Sequence, residues 1–333
     1  MTTEPLRLAN ILENNITNAY KMTRIISIVM LFAALSTGAQ ILNVKSIEPL
    51  RLPADISTTQ VVAISHDGSF ALLTDATYNG LTRYDFASGQ TSVVSYAVGA
   101  GLAPAISLDD SHVAFREVSF SETHRRLTAV KVANFATRAT SYVVPPSREV
   151  QGVAFTGQTA TAIVAGQPAR RAIAEIDSRR VRAAQAEPVL SINNEQLMIT
   201  RDGVTTLLSP CGTEGCSYIW PSVSPSGRRI MFYLVGSGIY TWNLNGSDLK
   251  FVADLHAPVW YTDDVIIAMN DIDGIDTQVS SEIVAIRLNN GEKQVLCGGD
   301  DFIAMYPQAC AKVGRIAFTT RDGAPYLISL TNE

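Results

Sequence analysis

From residue 40 onward, apolar residues recur in short runs of alternating or β-branched character. Such runs fall at 61–64, 70–74, 113–116, 127–132, 230–234, 238–242, 265–269, 283–288, 316–319 and 326–330. No 3.6-residue periodicity replaces them anywhere in this stretch, so no helix is predicted there. Tight-turn dipeptides separate the runs: Asp67-Gly68, Asn79-Gly80, Ser88-Gly89, Asp202-Gly203, Ser226-Gly227, Asn245-Gly246, Asn290-Gly291 and Asp322-Gly323. Evenly spaced short strands with turn signals between them predict an all-β sandwich, barrel or propeller.

A repeated plan selects the propeller. An apolar strand ends in a polar tight turn, a strongly apolar strand follows, and a strand–turn–strand hairpin completes the unit. The plan begins at 61–73 (Val-Val-Ala-Ile-Ser-His-Asp-Gly-Ser-Phe-Ala-Leu-Leu), at 104–115 and most clearly at 221–233; weaker copies begin at 153, 258 and 306. With Ser65, Ser107, Thr156, Ser224, Tyr261 and Cys310 as equivalent positions, the steps are 42, 49, 68, 37 and 49 residues. Units of about 40–50 residues, each a four-stranded sheet, are propeller blades. The 23 residues after Cys310 are too few for a whole unit, and the 25 residues at 40–64 supply the remainder. A closed ring is therefore expected, in which an N-terminal strand at about 41–52 completes the last blade. The long step from Thr156 to Ser224 leaves the blade number open. Read as an inserted hairpin at 172–186, it gives six blades, the favoured count. Read as one short blade followed by another at 187–217, it gives seven.

Two of these segments carry a family resemblance. Ser-Pro-Ser-Gly-Arg-Arg-Ile-Met-Phe-Tyr (224–233) and Ser-His-Asp-Gly-Ser-Phe-Ala-Leu-Leu (65–73) resemble the repeat of TolB-like, WD-repeat-like β-propellers. In that repeat a Ser-Pro-Asp-Gly turn is followed by an apolar strand and a hairpin of the kind at 238–246. The resemblance covers roughly residues 41–333. The chain is also similar to small exported bacterial propeller proteins of unassigned function. This resemblance implies a binding propeller in the cell envelope.

The N-terminus points to the same compartment. Residues 1–21 are polar and unpatterned. Met22-Thr23-Arg24 then leads into an apolar run at 25–35, broken only by Ser27 and followed by Ser36-Thr37-Gly38-Ala39. Eleven residues are too few for a membrane-spanning helix, which needs about 20. A cationic lead, a short apolar run and a small-residue end describe a secretory signal. The expected organisation is an upstream extension (1–21), a signal peptide (22–39) cleaved near Ala39, and a single propeller domain (40–333) that is periplasmic or secreted, with no transmembrane segment in the mature chain. Removing 1–39 leaves a net charge near −6, against −5 for the full chain. No basic block exists, so a sequence-independent nucleic-acid binder is excluded.

Candidate chemistry is sparse. No G-x-S-x-G elbow occurs and no length remains for a hydrolase domain, so a propeller-capped peptidase is excluded. Asp271, Asp273 and Asp276 surround Gly274. They are a calcium candidate whose spacing departs from the D-x-D-x-D-G loop; a solvated loop is the alternative. His124 lies beside Glu117 and Glu122 in a charged loop that begins at Arg116, the arrangement of an acid/base pair or of an ordinary surface loop. Trp220, Trp260, Tyr261 and Tyr306 fall at or near the starts of expected inner strands, with His256 beside them. Aromatic groups at a channel mouth stack on ligands or plug the channel. Arg116, Glu117, His124, Trp220, His256, Trp260, Tyr261 and Tyr306 are therefore the expected ligand-binding rim. Cys211 and Cys216 bracket a short loop as a disulfide candidate, with zinc as the alternative; Cys297 and Cys310 are a second possible pair.

The expected function is that of an exported, non-catalytic, monomeric binding module. It needs no cofactor and takes a protein, peptide or glycan partner at the cell envelope. The alternative is a propeller enzyme, a sugar lyase or hydrolase, with an active site assembled from several blades.

Overall fold

The computed structural model describes residues 40–53, 56, 59–172, 188–273 and 278–331. Strand β1 (Val44–Pro49) comes first. Blade 1 then comprises β2 (Gln60–Ile64), β3 (Phe70–Thr74), β4 (Leu81–Asp85) and β5 (Thr91–Ser95). Blade 2 is β6 (Ala105–Ile106), β7 (His112–Phe120), β8 (Arg126–Asn134) and β9 (Thr140–Ser147). Blade 3 is β10 (Val150–Thr156), β11 (Thr159–Val164) and β12 (Gln167–Ala172). Blade 4 is β13 (Val189–Asn193), β14 (Gln196–Arg201) and β15 (Val204–Leu207). Blade 5 is β16 (Tyr218–Val223), β17 (Arg229–Leu234), β18 (Gly238–Asn243) and β19 (Lys250–Ala253). Blade 6 is β20 (His256–Trp260), β21 (Val265–Asp273), β22 (Gln278–Arg287) and β23 (Lys293–Gly299). Blade 7 is β24 (Ala304–Cys310), β25 (Arg315–Thr320) and β26 (Pro325–Leu330), with β1 paired to β26 as its fourth strand.

The ring therefore has seven blades, not the favoured six. Gln196–Arg201 and Val204–Leu207 are not the outer hairpin of blade 3. They pair with a strand of their own, Val189–Asn193. That strand packs between the first strands of blades 3 and 5, so it is an inner strand. The segment expected as an inserted hairpin, 172–186, lies outside the described residues except at Ala172. The N-terminal segment expected to be a cleaved signal, 1–39, lies outside them as well. No helix among the described residues is long and apolar enough to cross a membrane.

Closure follows the length arithmetic. Ile47 sits opposite Ile328 and Pro49 opposite Tyr326 in antiparallel register. The Gln294 side chain clamps the start of this segment. Its Oε1 accepts from the N–H groups of Ile41 and Leu42, and its Nε2 donates to the Leu42 carbonyl.

The core lies between blades. Second strands such as β3 are buried along their whole length, so they read as continuous apolar runs. Because successive side chains point to opposite faces, β17 serves two interfaces. Ile230 and Phe232 pack with Leu197 of blade 4, and Met231 and Tyr233 pack with Ile266 and Ala268 of blade 6.

The polar turns after the inner strands explain the Ser-x-Asp-Gly signature. Ser65 Oγ donates to Asp67 Oδ1 (2.8 Å), which also accepts from the Ser69 N–H (2.8 Å). Gly68 closes the turn at φ +69°, and a side chain there would collide with Val313. Blade 2 puts Asp110 at the matching left-handed position, φ 57°. Its carboxylate reaches back to accept from the His66 and Asp67 N–H groups of blade 1, each at 2.8 Å.

Candidate functional site

In every blade the first strand faces the channel and its neighbours alternate in direction. Loops entering the first strand therefore share one face with loops between the second and third strands. On that face four first strands meet the same local event. Ala103-Pro104, Trp220-Pro221, Ala257-Pro258 and Tyr306-Pro307 each place a non-glycine residue at positive φ (47°, 49°, 45° and 53°) directly before a proline. Proline bars the right-handed helical region for the residue before it. Ladder register slips at three of these sites, between Ile219 and Ser222, His256 and Val259, and Met305 and Gln308. A bulge bends the strand and re-aims a side chain.

Side chains from several blades converge there. His256 Nδ1 lies 2.6 Å from Asp271 Oδ1, and its Nε2 lies 2.7 Å from the Tyr233 hydroxyl. The Asp271 side chain is 4% exposed and that of His256 is 32% exposed. The buried Asp271 side chain and the Tyr233 hydroxyl hold the ring from both sides. Burial raises the Tyr233 pKa, and the charges of Asp254 and Asp271 raise it further, which keeps the hydroxyl protonated. Trp220, 40% exposed, meets Tyr233 edge-on with ring centroids 5.5 Å apart and His256 at 6.4 Å. Tyr306 stands on blade 7. It packs against the cluster shared by blades 6 and 7, as Ala257 does, and burial, then Tyr78, Asp271 and Asp273, push its pKa up.

Trp220 and His256 are thus brought together with Asp271, the partner of the histidine, and Tyr306 stands on the adjoining blade. Asp271 and Asp273 lie in strand β21, not in a wrapping loop, and Asp276 lies outside the described residues. No group of metal-ligating side chains occurs among the described residues.

The other expected rim residues are elsewhere. Trp260 lies three positions beyond the bulge at Ala257, about 10 Å further along the strand. It packs between blades 5 and 6. Tyr261 begins the turn on the opposite face, where burial and nearby Cys310 raise its pKa. Glu117 pairs with Lys131 on the blade flank, and Lys131 lies 4.9 Å over the Tyr142 ring. Glu117 is therefore not the partner of His124, which occupies the exposed β7–β8 turn at φ 55°. Arg116 reaches from β7 to the loop entering blade 2, donating to the Leu102 carbonyl at 2.7 Å. Tyr233, Asp254 and Tyr78 were missed. Tyr233 sits inside an apolar strand, and only its place opposite Ile219, next to the Trp-Pro bulge, distinguishes it.

The expected disulfides are not formed; all four cysteines are free. Tyr218 instead organises the Cys211 loop, accepting from the Cys211 N–H (2.9 Å) and donating to the Gly212 carbonyl (2.8 Å). Cys216 Sγ faces the Cys211 carbonyl at 3.5 Å. Cys310 Sγ donates to the His66 carbonyl at 3.3 Å, and Cys297 is fully buried in blade 6.

No family model and no curated protein matches this sequence. Solved structures do. The WD40 repeats of RRP9 are similar at 11% identity over 87% of this chain and 99% of that one, with a TM-score of 0.60. The β-propeller domain of the Trilobed protease from Pyrococcus furiosus is similar at 10% identity over 84% and 95%, with a TM-score of 0.54. TolB from Acinetobacter baumannii is similar at 15% identity over 85% and 66%, with a TM-score of 0.45. The first two likenesses show the β-propeller fold, and the seven sheets, the last closed by β1, make it a seven-bladed ring. The protease domain is described as having an open velcro topology; the β1–β26 pairing makes the present ring a closed one.

Proposed function

We propose that this chain is an exported, non-catalytic binding module whose channel mouth at blades 5 to 7 takes a protein, peptide or glycan partner at the cell envelope. The observation that carries the reading is the convergence of Trp220, Tyr233 and His256, with Tyr306 on the adjoining blade. Aromatic faces beside fixed polar groups suit a sugar ring or a peptide side chain. Trp220 is bulky and held in a left-handed conformation that costs about 1–3 kcal/mol. Strain of that size is retained where the surrounding structure over-determines it, which is common at ligand-binding positions. Export, with cleavage near Ala39, belongs to this proposal and rests on the apolar run at 25–35.

A second reading, a propeller enzyme acting on sugars, draws on the Asp271–His256–Tyr233 chain. Carboxylate, imidazole and phenol in series can relay a proton. Binding is preferred because the exposed Trp220 offers a stacking face beside the fixed imidazole.

The test is a glycan array together with capture from envelope extract, using the chain that begins at Gln40. A ligand retained by the parent and lost by Trp220→Ala/Tyr306→Ala supports the reading. A ligand bound equally by parent and double variant overturns it. Turnover of a captured glycan, abolished by His256→Asn, establishes the enzyme instead.

A further inference from the structure

A concavity on the same face lies away from the channel mouth, where the loops entering blades 2 and 3 meet the β7–β8 hairpin. Its volume is about 630 Å³, and its lining includes four arginines, Arg116, Arg125, Arg126 and Arg148, with Thr128 beside them. No aspartate or glutamate lines it. Among the described residues, none of the six ion pairs involves any of the four. In a chain with 31 acidic and 26 basic residues, four guanidinium groups gathered without a counter-charge are a local inversion of the protein's field.

The groups are positioned, not merely adjacent. Arg116 is half-buried, and one of its Nη atoms is spent on the carbonyls of Leu102 (2.7 Å) and Ala103 (3.3 Å), which holds the guanidinium in place. Its desolvation, and then the neighbouring Arg126 charge, lower its pKa to about 10. Like charges held close raise the free energy of the empty site, and an anion entering it relieves that repulsion. Each guanidinium offers paired N–H donors matching the two oxygens of a carboxylate or phosphoryl group. A volume of this size exceeds what a single small ion fills and suits a ligand of several groups.

We propose that this arginine cleft is a binding site for a ligand carrying at least two oxyanion groups, phosphoryl or carboxylate. The site stands independently of the channel mouth, because none of the mouth residues lines it.

The test is calorimetric titration of the chain beginning at Gln40 with pyrophosphate in one arm and citrate in the other. The titrations run at low salt and again at about 0.3 M salt, where exposed charges are largely screened. Arg125→Gln/Arg148→Gln is the test variant, since both side chains are exposed and their loss leaves the Arg116 anchor intact. Arg138→Gln, an exposed arginine in the β8–β9 turn, is the control. The expected result is saturable binding of at least one probe, weakened by salt, reduced about tenfold or more in the double variant and unchanged in the control. Pyrophosphate alone identifies a phosphoryl ligand, citrate alone a polycarboxylate, and both the shared oxyanion chemistry. Absence of binding by either probe up to about 10 mM, where even a weak site registers, overturns the proposal. So does binding that the double variant leaves unchanged. Trp220→Ala/Tyr306→Ala is expected to bind the probe as the parent does, which separates failure at the mouth from failure here.

Discussion

Ile47→Ala examines the closure of the ring directly. Ile47 is 8% exposed and is the one buried residue in an otherwise exposed or half-buried strand. It sits opposite Ile328 and packs in the cluster that contains Ile316, Phe318 and Leu330. Truncating a buried isoleucine to alanine costs about 2–5 kcal/mol, depending on how far the site collapses. β1 is the outermost strand of blade 7 and can settle inward, so the lower half of that range, about 2–3 kcal/mol, is expected. For a domain of this size that is a melting temperature lower by roughly 3–5 °C. Glu48→Ala is the control, because Glu48 is exposed on the same strand, and its effect should stay within about 0.5 kcal/mol. Thermal melts followed by far-ultraviolet circular dichroism, with light scattering recorded together, measure both. Scattering is informative because losing β1 bares the open edge of β26 to self-association. If Ile47→Ala and Glu48→Ala melt within about a degree of each other, well inside the scatter of neutral surface changes, the strand contributes nothing and the closure argument fails.

Two further outcomes follow from polar networks. Asp271→Ala leaves His256 Nδ1 without its 2.6 Å partner; loss of about 1–3 kcal/mol is expected, with Tyr233→Phe costing less, and denaturant midpoints equal to those of the parent would show that the chain of groups does not stabilise the fold. Asp109 supplies a pH dependence. Burial alone would raise its pKa, but hydrogen bonds from Ser107, Ser111 and Gln158 outweigh this and hold it at about 2. A carboxyl depressed in the folded state gives stability present above its unfolded value, about 4, and lost as pH falls towards 2. Asp109→Asn should therefore flatten the decline of the urea midpoint between about pH 4 and pH 2, and a decline as steep as the parent's would refute the assignment.

The ring was legible because its determinants are local. The Ser-x-Asp-Gly turn closes through bonds within a few residues, as at Ser65–Ser69, and second strands such as β3 are continuous apolar runs. The blade count was not, because blade 4 lacks the punctuation of the others. Asn194-Glu195 forms its first turn with both residues at positive φ (47° and 65°), and neither serine nor glycine marks it. At the site, Trp260 and Trp220 were grouped by their nearness to inner strands, although Trp220 lies at a mid-strand bulge and Trp260 ends its strand. Aligning Trp220-Pro221, Ala257-Pro258 and Tyr306-Pro307 would have separated them. Tyr233 was hidden because its strand is explained by packing, and Asp271 was read as a calcium candidate; their meeting at His256 joins residues 23 and 15 positions from it in the chain.

The bulges tie these observations together. An uninterrupted inner strand would keep its ladder and turn alternate side chains to fixed sides. Blade 4 does this, since β13 pairs with β14 in unbroken register from Val189 to Asn193. Blades 5, 6 and 7 break register at one equivalent point, and each does so before a proline, which has no N–H to contribute to a ladder. The break costs ladder hydrogen bonds and a strained residue, so stability alone does not account for its repetition. What it produces is a change in which side chain meets the mouth: Trp220 in blade 5 and Tyr306 in blade 7, flanking Ala257 in blade 6. The small residue at the middle position leaves its neighbour, His256, accessible beside Trp220 while Asp271 holds the ring. Replacing Ala257 by a bulky residue would preserve the bulge and every polar bond of the relay yet crowd that space. The composition of the three equivalent positions, large–small–large, is therefore the feature of the sequence that shapes the mouth.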